Sequence, residues 1–100
     1  AGFGTGASSF TGDITINALC KISGVEIEGV TVTINQSSCI VKDSWFFGNT
    51  DFDVQDDSLI FVNNRNGEVA FASGTSGGIV DGCSATTVTD NGANTVGDIG

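Results

Sequence analysis

Apolar and polar residues alternate along two runs between Phe10 and Ile34, which are separated at Ser23-Gly24. One face of the first run carries Ile14, Ile16, Ala18, Cys20 and Ile22, and one face of the second carries Val30, Val32 and Ile34. A period of two in segments rich in β-branched residues is typical of half-buried strands. The apolar residues change from odd-numbered to even-numbered positions at Gly29, so we expect a β-bulge or kink there.

The rest of the chain continues in the same way, as short apolar runs bounded by Gly, Ser and Asn. Residues 58–72, SLIFVNNRNGEVAFA, predict a hairpin that turns at Asn66-Gly67. No segment has helical spacing over three turns, and seven to eight short strands are predicted. The pattern favours an all-β fold, an immunoglobulin-like or jelly-roll-like β-sandwich or a partly open barrel. A solenoid is disfavoured because no strict repeat is visible.

The first nine residues differ in composition from the rest of the chain. They are rich in Gly and Ser, with Phe3 as the one large apolar residue. We therefore divide the chain into a flexible N-terminal arm, residues 1–9, and a single domain, residues 10–100. The arm is either a frayed terminus or a segment that orders against a neighbouring subunit. In the second case the interface residues are Gly2, Phe3, Gly4, Thr5, Gly6 and Phe10.

Charge excludes two classes of partner. The chain has 3 basic and 12 acidic residues, for a net charge of −9. Nucleic acids and anionic lipid surfaces need more cations than Lys21, Lys42 and Arg65 provide. No apolar run reaches the roughly 20 residues of a membrane span.

Compartment is inferred from the start of the chain and from its cysteines. The sequence begins at Ala1 without Met or a leader, and a small chain with three cysteines is typical of exported proteins. Two of the three are expected to pair, and Cys20 with Cys39 would close a loop worth about 3 kcal/mol. Cys83 is then a free thiol or pairs with another chain. The alternative is three reduced, buried cysteines in the cytosol.

Asp51, Asp53, Asp56 and Asp57 form the densest charge cluster. Crowded carboxylates repel each other unless a cation lies between them, so the cluster is either a solvated acidic loop or a structural Ca²⁺ site. A glycosidase pair would need a cleft that 100 residues hardly provide. The chain has no His, which excludes the usual Ser or Cys triads, and its cysteine spacing matches no zinc motif. We predict that the protein is not an enzyme and has no cofactor beyond that calcium.

Trp45, Phe46 and Phe47 stand together in the sequence. Core packing is the expected role for such large apolar side chains. A carbohydrate-binding surface would instead require at least one of the three to be exposed beside polar groups.

Two stretches resemble chaperone–usher pilins. Residues 10–22, FTGDITINALCKI, are similar to the first strand of that family, and residues 31–39, TVTINQSSC, to the strand that ends at its second cysteine. The resemblance implies a disulfide between Cys20 and Cys39. It also implies an immunoglobulin-like sandwich that lacks its last strand, with the gap filled by the N-terminal arm of the next subunit.

These observations predict a structural subunit of an extracellular filament or surface assembly, a homo-oligomer or homopolymer built by β-strand addition. The alternatives are a Ca²⁺-dependent binding module, with carbohydrate as a candidate ligand, and a virion or tail decoration protein.

Overall fold

The computed structural model describes residues 12–100, which contain eleven short β-strands and no helix. The strands are β1 (Ile14–Ile16), β2 (Lys21–Ser23), β3 (Glu26–Glu28), β4 (Thr31–Ile34), β5 (Ile40–Lys42), β6 (Trp45–Val54), β7 (Ile60–Val62), β8 (Arg65–Phe71), β9 (Ser76–Asp81), β10 (Thr87–Asp90) and β11 (Ala93–Val96). Because this part of the chain has no helix, it has none that could cross a membrane.

Every strand pairs in parallel with a strand from the next turn of the chain. One sheet has the order β1-β4-β6-β8-β10, with β3 also paired to β6, and the second has the order β2-β5-β7-β9-β11. The chain is therefore a β-solenoid of about four turns. The predicted sandwich is wrong, since a period of two indicates one buried face and does not say whether the neighbouring strand runs parallel or antiparallel.

Inward-facing side chains form apolar columns along the solenoid axis. One column is Ile14, Val32, Phe52, Val69 and Val88, and another is Ile22, Val41, Phe61, Val80 and Val96. Successive members are 16 to 20 residues apart, so the coils have unequal lengths. This inequality hides the repeat from a search for strict periodicity.

The corner after the second sheet requires a left-handed backbone. Gly24, Asp43, Asn63 and Gly82 occupy this corner in four successive coils, with φ between 54° and 67°. Gly, Asn and Asp are the residues that adopt this conformation at least cost. The Nδ2 of Asn63 donates to the Oδ1 of Asp43 at 2.6 Å, so adjacent coils are also joined at the surface.

A buried polar column lies just inside this corner. The Nδ2 of Asn64 donates to the carbonyl oxygen of Val41 at 2.9 Å, and its Oδ1 accepts from the backbone N–H of Ser44 at 3.1 Å. The Oγ of Ser44 in turn accepts from the backbone N–H of Val25 at 3.2 Å. Three coils are thus joined by hydrogen bonds inside the protein, where such groups must be satisfied.

One local prediction is also wrong. Residues 58–72 form no hairpin, because β7 and β8 belong to different sheets and meet at the Asn63 corner. The predicted turn residues, Asn66 and Gly67, lie within β8 instead. The expected change of direction at Gly29 is present as a kink, the corner between β3 and β4, where φ is +65°.

Candidate functional site

Among residues 12–100, the last coil ends in a sheet edge to which no further strand is paired. β10 and β11 are the terminal strands of the two sheets, and each has one neighbour among the described strands. The N–H of Asn91 donates to Phe71 O and that of Gly97 to Val80 O, so these groups point back into the solenoid. Since N–H groups alternate sides along a strand, those of Val88, Asp90 and Val96 point outward.

Apolar side chains are uncovered at this same end. Val96 ends the column that contains Phe61, yet 41% of its surface is exposed. Val88 ends the column of Phe52 and is only partly buried, as is Ile99. The edge therefore offers both unpaired backbone groups and the ends of two apolar columns.

The third side of this coil is closed by the segment after β11. The N–H groups of Cys83 and Thr86 donate to Asp98 O and Ile99 O, each at 2.9 Å. The carboxylate of Asp81 accepts from the N–H groups of Asp98 and Gly82, which lowers its pKa. This segment is consequently paired with the coil before it, as β10 and β11 are on the other two sides.

The loop between β10 and β11 is held by Asp90. Its pKa is lowered because its carboxylate accepts from the Asn94 side chain at 2.9 Å and from the N–H of Gly92 at 2.9 Å. The Oδ1 of Asn94 also accepts from the N–H of Gly78 in β9. These hydrogen bonds fix the relative position of the two edge strands.

The predicted metal ligands are not brought together. Asp51 and Asp53 lie on the outer face of β6, whereas Asp56 and Asp57 lie in the corner after that strand. The Oδ1 of Asp57 accepts from the N–H of Ser76, and that of Asp56 accepts from the N–H of Asp57. Residues 12–100 contain no group of three or more His, Cys, Asp or Glu that could hold a metal ion.

Asp51 instead pairs with Glu68 from the next coil. The two residues are in register on β6 and β8, beside a shallow groove whose lining includes Thr31, Asp53 and Thr87. The pKa of Glu68 is raised by its hydrogen bond with Asp51 and by the repulsion between the two carboxylates. Near neutral pH the pair opposes folding, since neighbouring like charges on parallel strands are destabilising.

Glu68→Gln is expected to raise the melting temperature at pH 7. The amide keeps a hydrogen-bond donor for Asp51 and removes one of the two charges. Because the folded state raises the pKa of Glu68, its stabilising contribution is complete below the ordinary pKa of Glu, about 4.3, and is lost as the pH rises through the raised value. The advantage of the variant should therefore disappear at low pH. Thermal melts across this range test it, with Glu28→Gln as the control; an equal gain in both variants would contradict the assignment.

The three adjacent aromatic residues have different environments. Phe46 is fully buried in the core, Phe47 is half-buried, and Trp45 is 37% exposed. The guanidinium carbon of Arg65 lies 4.6 Å from the centre of the Trp45 ring. Core packing was thus the correct prediction for Phe46. Trp45 is instead exposed beside a polar group, which is the environment that a carbohydrate-binding surface requires.

The predicted disulfide between Cys20 and Cys39 is wrong, since all three cysteines are free. The two residues occupy equivalent positions in adjacent coils, where the N–H of Ile40 donates to Cys20 O at 3.1 Å. Burial raises the pKa of the Cys20 thiol, and Cys39 adds to the effect. Burial likewise raises the pKa of Cys83, which packs in the core.

The subunit interface predicted for the N-terminal arm lies outside the described residues. It consists of Gly2, Phe3, Gly4, Thr5, Gly6 and Phe10. Sequence reasoning missed Val88 and Val96, because an inward-facing valine at the end of a solenoid has the same local pattern as one in the middle.

No family model, curated protein or solved structure matches this chain. The resemblance to pilins is therefore not tested by these comparisons, although the sandwich that it implied is excluded by the parallel coil. The fold is a parallel β-solenoid in which β10 and β11 have no further partner among residues 12–100.

Proposed function

We propose that this protein is a structural subunit that joins copies of itself by strand addition at the edge formed by β10 and β11. The observation that carries the proposal is the coincidence of outward N–H groups with the uncovered side chain of Val96 at one end of the coil. Backbone hydrogen bonds supply affinity in this mode of recognition, and pockets for alternate side chains supply specificity.

A second copy is the occupant that the column pattern favours. The column that ends in Val88 begins with Ile14 in β1, and the column that ends in Val96 begins with Ile22 in β2. A second copy stacked in parallel would continue both columns with apolar residues at a coil spacing of about 4.8 Å. Such contacts are head-to-tail and do not close on themselves, so they generate filaments.

The net negative charge of each copy opposes this association. Each copy has a net charge of −9, and the edge itself carries Asp90. Copies of the same acidic protein repel one another at low ionic strength, and salt screens the repulsion. Assembly is accordingly favoured by added salt.

Val96→Pro is the variant that tests the proposal. Proline removes the N–H that points away from β9 and fills the edge with its ring, while the hydrogen bond from Gly97 N to Val80 O is preserved. We expect wild-type protein to form filaments or oligomers in added salt, and the variant to remain monomeric with a similar melting temperature. Light scattering after size exclusion and negative-stain imaging measure this.

Val96→Ala is the matched control, because it removes more apolar surface than proline does and keeps the N–H group. It should assemble, although less readily than the wild type. A wild type that stays monomeric over a wide range of salt and protein concentration would overturn the proposal. Equal assembly by the Pro and Ala variants would also overturn it, since the edge would then not be the interface.

A further inference from the structure

A row of four chemically different side chains crosses the outer surface beside the left-handed corner of each coil. Glu26, Trp45, Arg65 and Ser84 are in register in four successive coils. Neighbouring members are about 4.8 Å apart along the axis. The surface therefore presents a carboxylate, an indole, a guanidinium and a hydroxyl group in a line.

The indole ring is held in place by its neighbours. Phe47 lies on the same face of β6, with ring centroids 5.0 Å apart at 48°, and the guanidinium of Arg65 lies 4.6 Å from the Trp45 ring centre. A side chain that is already ordered loses little conformational entropy when a ligand binds. Trp45 is thus preorganised: one face of its ring lies under the guanidinium of Arg65, and 37% of the residue is exposed.

Arg65 has unused hydrogen-bonding capacity. Among residues 12–100 the one ion pair joins Lys42 to Asp43, and the guanidinium of Arg65 has no hydrogen-bond acceptor there. Within this part of the chain its five donors are unpaired and can bind a ligand beside the ring. Among the described residues Arg65 thus lacks a carboxylate partner, even though the chain has 12 acidic residues.

A recess of about 450 Å³ adjoins the ring. It is lined by Glu26, Asp43, Trp45 and Arg65, with Gly24 and Ser44 between them. The recess combines carboxylate acceptors, guanidinium donors and an aromatic surface within the reach of one small ring-shaped molecule.

From this arrangement we propose that Trp45 and Arg65 form a binding site for a neutral saccharide. The C–H groups of a pyranose ring carry partial positive charge and pack on the negative face of an aromatic ring. Its hydroxyl groups donate to Glu26 and Asp43 and accept from Arg65, in hydrogen bonds strengthened by the charged partner. An anionic sugar is disfavoured because both carboxylates and the net charge of −9 repel it. The site is independent of the β10–β11 edge, and neither proposal requires the other.

Trp45 is the single tryptophan, so intrinsic fluorescence reports directly on this site. The experiment titrates the full chain with short neutral glucose-, galactose- and N-acetylglucosamine-based oligosaccharides, and with a hexuronate oligomer as the anionic comparison. We expect a saturable fluorescence change with at least one neutral sugar, and none with the hexuronate.

Variants and calorimetry separate this site from nonspecific binding. Trp45→Ala should abolish the heat of binding, and Arg65→Lys should weaken binding by about tenfold or more, because lysine lacks the planar donor fork. Lys21→Met is the matched control, since among residues 12–100 this cation neither lines the recess nor pairs with a residue that does; it should bind as the wild type does. The proposal is overturned if no neutral sugar produces fluorescence change or heat. It is also overturned if Trp45→Ala, with an unchanged melting temperature, still binds normally, or if the hexuronate alone binds.

Discussion

Phe52→Ala is expected to lower the free energy of unfolding by about 3–5 kcal/mol, which is a large part of the total for a domain of this size. Phe52 is fully buried, with ring centroids 4.7 Å from Phe46 and 5.0 Å from Phe61. Both contacts are edge-to-face, the arrangement that aromatic rings favour. Removal of this ring leaves a cavity in the middle of the coil stack and also loses two aromatic contacts.

Chemical denaturation measures the effect, with two comparison variants. Phe47→Ala removes the same side chain from the outer face of the same strand, where it is half-buried, and should cost about 1 kcal/mol or less. Phe52→Leu keeps most of the apolar volume and should cost clearly less than Phe52→Ala. Equal losses for Phe47→Ala and Phe52→Ala would contradict the assignment of inner and outer faces on β6.

Asn64→Ala is expected to cost about 2–4 kcal/mol, even though a polar side chain is replaced by an apolar one. The substitution leaves the N–H of Ser44 without its acceptor and the carbonyl oxygen of Val41 without its donor, both in the interior. A buried polar group that loses its partner retains the full cost of its desolvation. An asparagine next to a turn would ordinarily be regarded as a surface residue, so a large loss specifically supports the coiled arrangement.

Asn63→Gly is the matched control for this prediction. Asn63 precedes Asn64 in the chain but lies on the surface with φ of 54°, and glycine occupies the same corner at residues 24 and 82. The control loses one exposed hydrogen bond to Asp43 and should change stability by about 0.5 kcal/mol or less. If Asn64→Ala were as mild as this control, the buried hydrogen bonds would not contribute as described.

Both core predictions depend on the way a solenoid distributes its stability. Each coil contacts mainly the coils next to it, so a solenoid behaves approximately as a one-dimensional stack. Phe46 ends one coil and Phe52 and Phe61 belong to the next, and Asn64 joins its own coil to the one before. Substitutions in the middle of the stack therefore weaken an interface on which all four turns depend.

Part of the fold could be predicted because it depends on local pattern. The alternation that places Val32 and Ile34 inward is the same in any half-buried strand, and both residues are buried. The breaks at Gly24 and Gly29 were also located correctly, since glycine marks positions that need φ above zero. The sequence carries a further signal of the coil: Gly24, Asp43, Asn63 and Gly82 recur every 19 or 20 residues, each directly after a strand of the second sheet.

The sequence by itself determined that the chain is built of short strands with one apolar face, that it is acidic, and that it lacks histidine. Only the tertiary structure decided how those strands pair, because partners lie 16 to 20 residues apart and the coils differ in length. It also decided which aromatic residue is exposed and which carboxylates meet, as the register between coils places Arg65 beside Trp45 and Glu68 beside Asp51. The physical reason is that side-chain direction is a local property of a strand, whereas its neighbours are selected by packing across the whole stack.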